Sequence, residues 1–181
     1  YGVAKKALLV MGQAYRTQYN FNAVYTLPVN LYGPGDNFDP RSSHVIPALI
    51  KKIYDAQQLN MDRLVCWGDG SPTREFLYVD DAAQGIVAAA ERLESPEPVN
   101  LGADFEISIK DLIHMIADLM NYQGSIEWDA SKPNGQPRRR LDVSRARELI
   151  NWEATTTFRD GLKKTIEWYR ENPLPVTTPD W

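Results

Sequence analysis

The chain has a single cysteine in 181 residues, no apolar run approaching the ~20 residues of a membrane span, and no excess of positive charge. Each lack excludes something. With only Cys66, no disulfide can form within the chain, as expected for a reducing cytoplasm. The thiol lies in the run Leu64-Val65-Cys66-Trp67, which reads as buried and inert. Neither a membrane span nor a signal peptide is present, and the expected location is cytoplasmic. A net charge of -4 and a pI near 5.2 argue against a general polyanion surface, so nucleic acid is not an expected partner. Repeats and low-complexity tracts are missing, and no metal site is assigned. The chain also lacks an initiator Met, and no strand or Gly-rich turn precedes Tyr1; we therefore expect a fragment. What remains is an ordinary globular mixture, 43% hydrophobic and 24% charged.

Hydrophobic spacing predicts alternating strands and helices. A helix over 1–19 carries Val3, Ala7, Val10, Met11 and Ala14 on one side. The run Ala23–Leu27 reads as a buried parallel strand that Pro28 should end. Turn chemistry then runs from Leu31 to Asn37, where an α/β sheet presents ligand loops. Helices follow over 44–58, 81–93, 108–120, 144–150 and 158–170, with strands near 64–67, 75–79, 99–101 and 125–128. Asp80 is read as the cap of the third helix and Ser108 as the cap of the fourth. His114 falls on a polar face. The Pro-rich stretch 172–181 is expected to be loosely held. The fold class is α/β: the closing part of a Rossmann-type doubly wound sheet, interleaved with a small α/β substrate-binding domain. Residues 1–32 and 78–102 are assigned to the first domain, 33–77 and 103–171 to the second.

Tyr1 and Lys5 stand four residues apart on that first helix, on one face. There an ammonium favours the phenolate and equips a phenol for proton transfer near neutral pH. The pair resembles that of the short-chain dehydrogenase/reductase superfamily. The run Pro28-Val29-Asn30-Leu31-Tyr32-Gly33-Pro34-Gly35-Asp36-Asn37-Phe38-Asp39-Pro40 and the context Ser42-Ser43-His44-Val45-Ile46-Pro47 resemble one of its extended families, the GDP-L-fucose synthases. Trp67-Gly68-Asp69-Gly70-Ser71-Pro72-Thr73-Arg74-Glu75-Phe76 and Ser131-Lys132-Pro133-Asn134-Gly135-Gln136-Pro137-Arg138 do so too, in order, to about residue 170. That family epimerises GDP-4-keto-6-deoxy-D-mannose at the two carbons beside its ketone and reduces the ketone with NADP(H).

The resemblance implies roles. His44 would deliver a proton during epimerisation, a task suited to a group titrating near neutrality, and Tyr1 would protonate the C4 oxygen as hydride arrives. Lys5 would lower the Tyr1 pKa and bind the nicotinamide ribose. Pro28, Asn30 and Leu31, with His44, would line the cofactor pocket. Val45, Leu49, Lys52, Trp67 and Arg74 would contact the nucleotide sugar, Arg74 through a guanidinium fork on the diphosphate. Plainer roles stand beside these: strand termination for Pro28, a helix start for His44, core filling for Trp67, a surface ion pair for Arg74, a solvated helix position for Lys52. The cluster Arg138-Arg139-Arg140 could close over a diphosphate or face water. Where bacterial members more often read Asp-Gly-Thr-Pro-Arg-Lys, this chain has Asn134-Gly135-Gln136-Pro137-Arg138-Arg139. The Gly-rich fingerprint, the hydroxyl partner of the tyrosine and a cysteine base would all precede Tyr1, so the chain alone is expected not to bind NADPH productively. In that family the equivalent helix joins a dimer bundle, so the resemblance implies a homodimer through helix 1–19. Two other readings stay open: a different NAD(P)-dependent nucleotide-sugar epimerase/dehydratase, or a non-catalytic GDP-sugar-binding module.

Overall fold

The computed structural model describes residues 1–179, in the order α1 (Gly2–Tyr19), β1 (Thr26–Pro28), β2 (Asn30–Tyr32), α2 (Val45–Gln58), β3 (Arg63–Trp67), β4 (Thr73–Arg74), β5 (Phe76–Tyr78), α3 (Val79–Arg92), β6 (Val99–Leu101), β7 (Ile107–Ser108), α4 (Ile109–Met120), β8 (Ser125–Asp129), β9 (Arg138–Arg139), α5 (Ser144–Ile150) and α6 (Phe158–Glu171). The α/β expectation is borne out. β1 pairs with β6, β2 with β5 and β3 with β8, all parallel, while β4 lies between antiparallel β7 and parallel β9.

Apolar side chains gather in two cores. In one, α2, α4 and α6 pack over β3 through Ile50, Ile53, Leu64, Leu112, Ile116 and Tyr169. In the other, α3 and α5 pack around β6 through Leu77, Ala89, Leu93, Leu101, Ile150 and Trp152. β5 bridges them: Phe76 and Tyr78 belong to the first core and Leu77 to the second, the alternation of a strand buried on both faces.

Several local readings are corrected. Pro28 ends β1 as expected, but from inside the ladder, as its last paired residue, in register with Leu101. Bonds to β6 run from the Tyr25 carbonyl and the Val29 N–H, so alternation turns the Pro28 nitrogen to the other edge, where no donor is needed. The turn expected from Leu31 starts later, because Leu31 and Tyr32 pair with Leu77 and Tyr78. At Gly33 a Cβ would stand 2.4 Å from Val79 Cγ1, so only glycine admits this approach of the turn to α3. Asp80 is not the cap of α3: the helix starts at Val79 with no side-chain cap. Asp81 is buried and accepts from Thr156 N (3.0 Å) and Thr155 Oγ1 (3.2 Å), tying α3 to the loop before α6. Ser108 does cap α4, accepting from Asp111 N at 3.0 Å.

The tail is not loose where it is described. Lys51 and Asp55, one turn apart on α2, form a 2.6 Å ion pair with side chains 2% and 0% exposed. Lys51 Nζ also donates to the Pro175 carbonyl (3.0 Å), and Asp55 Oδ2 accepts from Thr177 N (3.3 Å) and Oγ1 (3.0 Å). Tail and pair cover each other. Residues 180–181 of that stretch lie outside the described residues.

Candidate active site

Two groups of side chains stand at the open ends of the parallel strands. In the first, Lys5 Nζ sits 5.4 Å from the centroid of the Tyr1 ring, at the start of an α1 that buries none of its residues. Tyr1 is 97% exposed. α1 is fastened to the segments leading into β1 and β6 by Tyr25 Oη donating to the Lys5 carbonyl (2.7 Å) and Gln13 Nε2 to the Pro96 carbonyl (3.2 Å). Pro28, the last residue of β1, and Leu31, the middle residue of β2, are exposed. Asn30, between them, is half-buried and spends its amide on the Glu75 carbonyl (3.0 Å). Beyond Leu31 a cavity of about 150 Å³ is lined by Gly33, Gly35, Asp36 and Val79.

His44 is the N-cap residue of α2, in extended geometry, and its side chain makes no capping bond. The helix-start role therefore rests on its backbone alone, and the exposed imidazole is left for other work. Directly behind it Leu49 is buried and Val45 half-buried against the first core.

The second group surrounds the β3–β4 turn. Trp67 is 59% exposed, so core filling is excluded; Lys132 Nζ stands 5.6 Å from its ring centroid. Loop 131–137 reaches this turn because Asn134 Oδ1 accepts from Asp69 N at 2.8 Å. Gly68, at φ 82°, permits this: a Cβ there would lie 2.2 Å from that same oxygen. Lys52 is not solvated as helical spacing suggested but 4% exposed. Its charge acts on Cys66, whose thiol burial pushes up against a smaller downward pull from Lys52. The reading of Cys66 as buried is borne out.

Arg74 forms no ion pair among the described residues; its Nη1 donates to the Thr73 carbonyl (2.7 Å). Register then separates the members of the arginine cluster 138–140. β9 aligns Arg138 with Thr73 and Arg139 with Arg74, and paired residues share a face. On one face Arg138 holds Glu106 through Nε and Nη2 (both 2.9 Å), and Thr73 Oγ1 bonds the same carboxylate. Those partners hold the Glu106 carboxyl down at about 2. Arg140 pairs with Asp104, which Arg147 also holds at 2.9 Å. Arg139 alone of the three arginines has no carboxylate partner among the described residues. Arg74 and Arg139 thus stand in register with no carboxylate partner among the described residues, Arg74 committing only Nη1 to the Thr73 carbonyl, and loop 131–137 comes close enough that a Cβ on Gly135 would lie 3.9 Å from Arg74 Nη2. The triple-Arg run was visible in sequence; that only its middle member is free depends on strand alternation.

The sequence pattern of the NAD dependent epimerase/dehydratase family matches residues 1–102. Among curated relatives, "Probable GDP-L-fucose synthase 1" of Oryza sativa subsp. japonica is 44% identical over 174 residues, which is 96% of this chain and 53% of that protein. The "GDP-L-fucose synthase" of Escherichia coli (strain K12) is 39% identical over 181 residues, 95% of this chain and 56% of that protein. Among solved structures, a GDP-L-fucose synthetase from Naegleria fowleri bound to NADP superposes with a TM-score of 0.86 at 33% identity, covering 95% of this chain and 56% of that one. The chain thus spans about half the length of the curated relatives it matches. With more than half of its residues matched and the same fold recovered, the chain belongs to the NAD dependent epimerase/dehydratase family.

Proposed function

We propose that this chain carries the nucleotide-sugar side and the proton-transfer residues of a GDP-L-fucose synthase: an epimerase-reductase that turns GDP-4-keto-6-deoxy-D-mannose into GDP-L-fucose with NADPH. The observation that carries the reading is the pair Arg74–Arg139, two guanidinium groups on one sheet face with no carboxylate between them, beside exposed Trp67. Such a pair suits a diphosphate, whose oxygens accept several forked hydrogen bonds at once. Trp67 offers a flat face to the remainder of the nucleotide sugar, and Lys52, Val45 and Leu49 lie on the helix beneath.

Epimerisation beside a ketone removes a proton from carbon, stores charge on the C4 oxygen, and returns a proton to the opposite face. His44, exposed and free of capping duty, is the acid that returns it. Tyr1 holds the C4 oxygen in the enolate stage and gives it a proton in the reduction, with Lys5 supplying positive charge. NADPH, when bound, supplies the hydride to C4. The residues present fit the nicotinamide end of that cofactor: Tyr1 and Lys5 are open to solvent and adjacent, and Pro28 and Leu31 are exposed on β1 and β2.

In this reading residues 1–32 and 78–102 form the cofactor-side domain and 33–77 with 103–171 the substrate-side domain. The exposed apolar residues of α1, including Val3, Val10 and Met11, are covered by a second copy of the chain. A single buried thiol, free of any disulfide, suits a reducing cytoplasm as the place of work.

The test is turnover. The chain, completed with the N-terminal half of the rice relative, should oxidise NADPH in the presence of GDP-4-keto-6-deoxy-D-mannose, and His44→Ala should lower the rate by about 10²–10⁴. A folded, completed protein that accepts UDP or dTDP sugars instead would overturn the reading.

A further inference from the structure

The Arg74–Arg139 pair has a foundation that nothing about its own side chains explains. β4 and β9 contribute two residues each, too few to hold their register by ladder bonds alone. The residue after Arg74 is Glu75, 0% exposed. Its carboxylate has no cationic partner among the described residues and is satisfied by backbone: Oε1 accepts from Ala103 N (2.8 Å) and Asp104 N (3.1 Å), and Oε2 from Leu141 N (2.8 Å). Gly102 is shaped around it, since a Cβ there would stand 2.3 Å from Oε1.

These three bonds reach the two segments that fix Arg139. Leu141 lies two residues past β9, directly after Arg140, so its N–H pins the end of the arginine run to the residue that opens into β5. Asp104, oriented by its own N–H on Glu75, is the carboxylate that takes Arg140 and Arg147. Holding Arg140 on the acidic face obliges Arg139, one residue earlier, onto the opposite face beside Arg74. We infer that Glu75 is the positioning residue of the diphosphate clamp: a buried carboxylate that sets the β4–β9 register through Leu141 N and, through Asp104, turns Arg139 rather than Arg140 toward the ligand. The inference rests on the reading of Arg74 and Arg139 given under the proposed function. It extends that reading from the contacting residues to the group that aims them.

Glu75→Gln keeps the size of the side chain but replaces one accepting oxygen with a donor, so one of the three N–H groups loses its partner. The whole chain is compared with Glu75→Gln, Arg139→Ala and the double variant, by calorimetric titration with GDP and by limited trypsin digestion read by mass spectrometry. Each single variant should weaken GDP binding about tenfold, and the double variant no further than either single one, because both disable the same contact. Cleavage after Arg138, Arg139 or Arg140 should appear in Glu75→Gln while the unmutated chain resists. Unchanged GDP affinity in a folded Glu75→Gln, or losses that multiply in the double variant, would show a role in stability alone and overturn the inference. Should Glu75→Gln not fold, Gly102→Ala displaces the same carboxylate with its charge intact, and the same outcomes decide. If the unmutated chain ignores GDP, the proposed function falls. The digestion still decides the positioning claim, which fails if residues 138–140 stay as protected in the variant as in the parent.

Discussion

Replacing Asp55 by alanine removes one half of an ion pair that has almost no access to water. The carboxylate is 0% and the Lys51 side chain 2% exposed, with 2.6 Å between Nζ and Oδ2. In Asp55→Ala the ammonium keeps one acceptor, the Pro175 carbonyl, and Thr177 loses the acceptor of both its N–H and its hydroxyl. Truncating one partner of a buried pair costs about 3–5 kcal/mol, chiefly because the remaining charge stays dehydrated. Against a total stability of about 5–15 kcal/mol, that brings the chain close to unfolding at ambient temperature. The assay is urea denaturation followed by tryptophan fluorescence. With a slope of about 2 kcal/mol per molar, the midpoint should fall by about 2 M. A matched control replaces both partners, Lys51→Met with Asp55→Leu. It leaves no orphaned charge and should lie within about 2 kcal/mol of the parent. A midpoint shift under about 0.5 M for Asp55→Ala would refute the argument, since by the same slope it means about 1 kcal/mol and a pair that water already reaches.

The Glu106 carboxyl is held at about 2 by Arg138 and Thr73, below its ordinary 4.5. The sign follows from that depression: the contribution of these bonds is present above pH 4.5 and is lost as pH falls toward 2. Carbon-detected NMR of the Glu106 carboxyl should titrate near 2, with β9 amide signals shifting alongside; titration at the ordinary value would mean that Arg138 does not hold it. The dimer proposed through α1 should appear by light scattering as twice the 20.6 kDa chain mass, and replacing Val3, Val10 and Met11 by serine should return it to the monomer. A stable monomer of the unmutated chain would end that proposal.

Long periodic segments were legible in the sequence. The apolar stripe of α4 and its Ser108 cap, the span of α2, and the β3 and β8 runs each carry their own hydrophobic pattern. The two-residue strands β4, β7 and β9 carry none; they exist because Glu75, Glu106 and the backbone of Pro72 and Pro137 bring distant segments together. Lys51 and Lys52 look like solvent-facing helix residues, since lysine is rarely buried. Only a tail folding back over α2 and the approach of β3 enclose them. The candidate site was legible as residue types in an ordered set of motifs. What was not legible was commitment: Asn30 tied to Glu75, Arg138 and Arg140 tied to acids, Arg74 and Arg139 left without a carboxylate among the described residues. Commitment is a property of partners more than thirty positions away.

The central claim is that Arg74, Arg139 and Trp67 form the receiving surface for a GDP-sugar. Calorimetric titration of the chain with GDP, and with UDP as control, tests it most directly. The account predicts saturable binding selective for GDP and lost in Arg74→Ala; a chain shown by its melting transition to be folded, yet binding neither nucleotide or both alike, would contradict it.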